Sequence, residues 1–169
     1  GAAVIALTNG KTLGAILSTG ANTYLTLVNG TDTAKQYDGA AWSSIAAFGG
    51  TATSEYNAIE TYRQRYFLIR KNSLYLEYLA ANAITGAATQ YNLGSYFRRG
   101  GYLVGLATWT IDGGAGPDDH LAVCTSNGEI VIFSGPDPAV WSLRGVYYIG
   151  RPLGNRCFFK YGGDLLYAC

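Results

Sequence analysis

Leu121-Ala122-Val123-Cys124-Thr125-Ser126-Asn127-Gly128-Glu129-Ile130-Val131-Ile132-Phe133 holds two apolar runs separated by an Asn-Gly dipeptide. Asn and Gly tolerate the positive φ angles of a tight turn, so the stretch reads as a β-hairpin. The return run, Ile130 to Phe133, is apolar at every position. Such a strand needs cover on both faces, as in stacked blades or a sandwich, which excludes an isolated single sheet.

The same pattern recurs along the chain. Thr23 to Val28 turns at Asn29-Gly30 toward Tyr37, and Tyr66 to Ile69 turns at Lys71-Asn72-Ser73 into Leu74-Tyr75-Leu76. Cys157-Phe158-Phe159 turns at Gly162-Gly163 into Leu165-Leu166-Tyr167. The onsets at Tyr24, Tyr66, Leu121 and Cys157 lie 42, 55 and 36 residues apart, a loose period near the roughly 40 to 50 residues of a propeller blade. Trp42, Tyr91 and Trp141 follow three of the hairpins and suit a third strand in each repeat. Helix has one candidate, Asn57-Ala58-Ile59-Glu60, with capping-box spacing, and Tyr62 to Ile69 behind it reads as strand. The expected fold is all-β: repeated antiparallel hairpins in a partial β-propeller-like or stacked-sheet arrangement.

At 169 residues the chain is long enough for one domain burying roughly 70% of its unfolded surface. Residues 1–169 are read as a single β-repeat domain. Charged residues make up 14% against about 25% in ordinary globular proteins, a composition suited to surfaces occupied by neighbours. A net charge of +1 gives no general electrostatic reason to expect nucleic acid or anionic lipid. The basic residues Arg63, Arg65, Arg70 and Lys71, and the pair Arg98-Arg99, are candidate phosphate contacts or, more simply, strand-end charges. Cys124, Cys157 and Cys169 match neither a dense disulfide framework nor a paired zinc motif and read as buried free thiols. No apolar stretch approaches the roughly 20 residues of a membrane-spanning helix. The chain lacks Met and stops inside a strand-like run, so we expect a fragment of a longer protein.

One loop gathers carboxylates around the single histidine: Asp112, Asp118, Asp119 and His120, with Gly113-Gly114-Ala115-Gly116 between them. Three carboxylates suggest a calcium ion, but the spacing departs from the alternating ligands and terminal Glu of a calcium loop. The glycines lack the Gly-Lys-Ser/Thr ending of a nucleotide-binding loop. Asp112, Asp119 and His120, with Ser126 or Cys124 as nucleophile, are the candidate catalytic residues of a small hydrolase, although no Gly-x-Ser-x-Gly elbow is present. Carboxylate pairs for glycoside hydrolysis can be nominated from Asp112, Asp118, Glu60 and Glu77. Trp109, Trp141, Arg98 and Arg99 are the candidate binding residues, the tryptophans as sugar-stacking platforms of a lectin-like module recognising host glycan. No metal and no cofactor is expected.

Tyr66 to Ser73, Leu93 to Tyr102, Thr108 to His120, Asn127 to Gly135, Ile149 to Gly154 and Arg156 to Leu166 form an ordered series. That series resembles tailed-bacteriophage virion proteins, similar in pattern to the β-propeller tubular tail or nozzle components of short-tailed phages. The resemblance covers residues 60–169 and, through Val28-Asn29-Gly30 and Tyr37 to Trp42, the general pattern of residues 1–50. It implies a structural component of the tail or head-tail assembly, built in the bacterial host cytoplasm. Its partners would be other virion proteins and copies of itself, with no specific nucleic acid and no membrane. The resemblance carries no catalytic residues onto this chain.

Overall fold

The computed structural model of the chain describes residues 5–112 and 117–169. It is all-β, 52% strand and 4% helical, the helical part being two short 3-10 turns, Thr53–Glu55 and Pro138–Val140. The first sheet contains β1 (Leu13–Ser18), β2 (Thr23–Val28), β3 (Ala34–Tyr37) and β4 (Trp42–Ile45). A minor hairpin follows, β5 (Ala47–Phe48) with β6 (Thr51–Ala52). The second sheet is β7 (Tyr56–Tyr62), β8 (Arg65–Arg70), β9 (Tyr75–Tyr78) and β10 (Thr89–Asn92). The third is β11 (Leu103–Asp112), β12 (Pro117–Thr125), β13 (Glu129–Ser134) and β14 (Ser142–Tyr148). A last hairpin pairs β15 (Phe158–Tyr161) with β16 (Asp164–Tyr167). In each four-stranded sheet spatial order follows chain order, and every pairing is antiparallel.

Side-chain alternation joins the layers. On β8, Tyr66 and Leu68 face a core shared with the first sheet, including Leu17, Val28, Phe48 and Ile59. Phe67 and Ile69, on the other face, enter a core shared with the third sheet, including Leu121, Val123, Val131 and Phe133. β12 repeats the device: Leu121 and Val123 face the second sheet, while Ala122 and Cys124 face the last hairpin with Ile130 and Cys157. The expected two-sided cover of Ile130 to Phe133 is thus met by a core on either side. The first strands lie together: β1 packs on β7, β7 on β11, and β11 on β15 and β16. Thr61 donates its hydroxyl to the Ile16 carbonyl at 2.7 Å across the first of these contacts.

All four expected hairpins form, and their turns follow from local chemistry. At Asn127-Gly128, Gly128 has φ +85°, and a Cβ there would lie 2.3 Å from the Gly150 carbonyl oxygen. Left-handed backbone and lack of space therefore both require glycine. The strand expected after three of the hairpins also forms: Trp42 opens β4, Tyr91 lies in β10, and Trp141 immediately precedes β14.

Two expectations are corrected. Asn57 to Glu60 belongs to strand β7, because Ala58 and Ile59 pair with Ile69 and Leu68 and each fills a different core. A helix would withdraw one of them, so burial on two faces overrides the capping-box spacing. Tyr62 to Ile69 is not one strand. Arg63 (φ 47°) and Gln64 (φ 59°) form a two-residue left-handed turn between β7 and β8.

Candidate functional site

The polar residues singled out around the acidic loop lie on the paired strands β11 and β12. Trp109 stands opposite His120, and Thr110 opposite Asp119. Directly opposed residues share a face and successive residues alternate, so Asp119 and His120 project to opposite faces of the third sheet. They do not form an Asp-His dyad.

On one face, Asp119 accepts a hydrogen bond from the Thr110 hydroxyl at 2.8 Å and pairs with Arg63 Nε at 3.5 Å. With Arg63, Gln64, Thr61 and Ser18 it lines an open cleft of about 460 Å³ at the ends of β1 and β7. The Tyr62 hydroxyl sits 2.9 Å from the carbonyl oxygens of both Asp119 and Gly135. Burial holds its phenol above the ordinary pKa.

On the other face, His120 is buried, with its ring 6.1 Å from the Trp109 indole. Trp109 donates Nε1–H to the Gly163 carbonyl at 2.8 Å, joining the third sheet to the turn of the last hairpin. Between those layers Trp109, Ile130, Ile132, Tyr147, Phe158 and Leu165 line an apolar crevice of about 240 Å³.

The candidate nucleophiles do not join His120. Cys124 lies four residues along the same strand, about 13 Å away at strand rise, and its sulfur contacts Cys157 at 3.4 Å. Ser126 lies beyond the end of β12, and its Oγ accepts from the Tyr102 backbone N–H at 3.2 Å. The Asp112 and Asp118 side chains and residues 113–116 lie outside the described residues.

Glu60 and Glu77 cannot flank one glycosidic bond. Glu60 pairs with Phe67 and Glu77 with Leu68, adjacent residues of β8, so the two carboxylates occupy opposite faces of the second sheet. Glu77 is buried, accepting from the Tyr56 hydroxyl and from Gln90 Nε2. Burial raises the Glu60 pKa, opposed by Lys160, whose Nζ is 3.8 Å away. Among the described residues no three or more His, Cys, Asp or Glu side chains gather where they could hold a metal ion.

The binding candidates are drawn into structural contacts. Phe133 and Phe67 stack on Trp141 at 4.8 and 5.4 Å, with Tyr62 and Tyr91 at its edges. It is therefore a component of the core between the second and third sheets, and its buried Nε1 has no acceptor. The Arg98 and Arg99 backbone amides donate to the buried Glu129 carboxylate at 3.1 and 2.7 Å. The Arg99 guanidinium lies 3.8 Å over the Tyr148 ring. In the other basic cluster Arg63, Arg65 and Lys71 face Asp119, Asp137 and Glu55, a pairing that fits strand-end charges.

Sequence reasoning missed how many apolar side chains stay exposed from the third sheet's last strand to the final hairpin. Leu143, Tyr147, Tyr148 and Ile149 are exposed there, as are Leu153, Phe159, Tyr161 and Leu166. The available signal was the apolar run 146–149 beside Phe158-Phe159, with no polar alternation to mark a solvent face. Comparison with protein-family models, curated proteins and solved structures gave no match to this chain.

Proposed function

We propose that this chain is a structural module acting through protein-protein contacts, a component of a bacteriophage tail or head-tail assembly with a β-propeller-like arrangement of its sheets. The observation that carries the contact reading is the contrast between complete and incomplete sheets. Among the described residues three sheets have four strands each, while β15 and β16, like the minor β5–β6 hairpin, stand as a pair. Phe159, Tyr161 and Leu166 on that pair are 53%, 74% and 51% exposed. An edge strand with unpaired backbone groups beside apolar side chains favours strand addition by another chain. The serial packing of β1, β7, β11 and the last hairpin supports the propeller-like reading. The virion assignment rests on the sequence resemblance.

In the isolated protein the partner at β16 is a second copy. Light scattering of the full chain should show mass rising with concentration, and Leu166→Asp should return it to the monomer. A monomer at every concentration would overturn self-association. Flanking genes for portal, terminase and tail proteins are expected under the virion reading. A neighbourhood without them would overturn that part alone.

A further inference from the structure

Cys124 on β12 and Cys157, immediately before β15, are 33 positions apart in the chain, yet their Sγ atoms lie 3.4 Å from each other. Both are buried in the layer between the third sheet and the last hairpin. A disulfide needs about 2.05 Å between sulfurs, so a small approach of the two side chains would close the bond. Gly105, opposite Cys124 in the β11–β12 register, supplies the space. A Cβ there would fall 2.8 Å from Cys157 Sγ and 3.3 Å from Cys124 Sγ. Its φ lies outside the left-handed range, so accommodation of the two sulfurs explains this glycine better than backbone strain does.

We propose that Cys124 and Cys157 are an oxidisable pair, closed by a low-molecular-weight disulfide into an intramolecular bridge that ties the β15–β16 hairpin to the third sheet. A hydrogen bond joins the two thiols, with either sulfur able to donate; that contact lowers the Cys157 pKa and, together with burial, raises that of Cys124. Cys157 sits on the segment that leads into the hairpin, while Cys124 is held inside the third sheet, so opening of the hairpin frees Cys157 to be the first nucleophile. Its thiolate attacks the oxidant RSSR, forming a Cys157–SR bond and releasing RS⁻. Cys124, once deprotonated, attacks Cys157 Sγ, forming the Cys124–Cys157 bond and releasing the second RS⁻. The two cysteine protons end on the two released thiolates, so two protein thiols are oxidised as one RSSR is reduced to two RSH. Because both sulfurs are buried, the first attack requires the hairpin to open.

The test uses the full chain with Cys169→Ser, which removes the third thiol, exposed where the sequence reading expected a buried one. Folded protein is incubated with oxidised glutathione, then denatured, alkylated and weighed by mass spectrometry. The expected result is joint loss of both thiols with the mass of two hydrogens, reversed by dithiothreitol. Amide exchange in residues 158–167 should slow by roughly tenfold or more in the bridged form. Alkylation of both cysteines, or stable glutathione adducts without bridging, would overturn the pair. A bridge with unchanged hairpin exchange would overturn the tie. In the same background Cys124→Ser should trap glutathione on Cys157, and an unmodified Cys157 there would overturn the order of attack.

Discussion

The core between the second and third sheets and the layer formed by the last hairpin use the same residue types with opposite results. In the first, Phe67, Ile69, Leu121, Val123 and Phe133 are almost wholly buried, because both bordering sheets have four strands. In the second, only one face of the hairpin is covered: Phe158 and Leu165 pack toward Ile130 and Cys157, while Phe159 and Leu166, one residue on, face outward. Strand alternation places aromatic and aliphatic side chains on both faces in both regions. The neighbouring layer decides whether that is a core or an exposed surface. Apolar residues on both faces of a strand therefore describe a requirement for two neighbours, and among the described residues the last hairpin has one.

The sharpest way to break this comparison is truncation on each side. Phe133→Ala removes a ring that stacks on Trp141 and touches Tyr91 and Tyr96, and should cost about 3–5 kcal/mol in chemical denaturation. Phe159→Ala should stay within about 0.5 kcal/mol in the monomer. Comparable losses would show that the outward face of the hairpin is already packed. Next in size, Gly128→Ala should cost about 1–2 kcal/mol or more, since it forces a Cβ into left-handed backbone and against the Gly150 carbonyl. An unchanged midpoint would remove Gly128 from the turn that sets the β12–β13 register.

The smallest expected effect concerns pH. Burial raises the Glu60 pKa above its ordinary value of 4.5 in the folded chain, so the unfolded chain loses this proton first as pH rises. Glu60 therefore lowers stability progressively from the unfolded pKa through the folded one, and the cost persists above it. Glu60→Gln should flatten that fall, measured as the pH dependence of the denaturation midpoint. A steeper fall in the variant would mean that the Lys160 pairing outweighs burial.

Hairpins with a Gly or Asn turn were legible because those residues announce positive φ. The Arg63-Gln64 turn was not, since neither residue type marks a left-handed backbone, and the strand reading ran through it. The opening strands β1 and β11 were missed as members of their sheets: Ser18 to Thr23 holds no Asn-Gly or Gly-Gly signal, and Gly113-Gly114 was read as part of an acidic loop, not as a hairpin turn. Asn57 to Glu60 shows a local capping signal losing to burial on two faces. At the candidate site, sequence adjacency joined Asp119 to His120, and strand alternation parts them. Cys124 and Cys157 show the converse: 33 residues of separation conceal a contact made only when the last hairpin docks on the third sheet.

Amide hydrogen exchange across a protein concentration series tests the central claim most directly, because it reads the complete sheets and the open edge in one sample. Amides of Arg65–Arg70 and of the β12–β13 pair should exchange slowly at all concentrations. Those of Asp164–Tyr167 should exchange fast when dilute and become protected as concentration rises, and Leu166→Asp should abolish that gain. Exchange at Asp164–Tyr167 that is slow when dilute, or unchanged by concentration, would contradict the account.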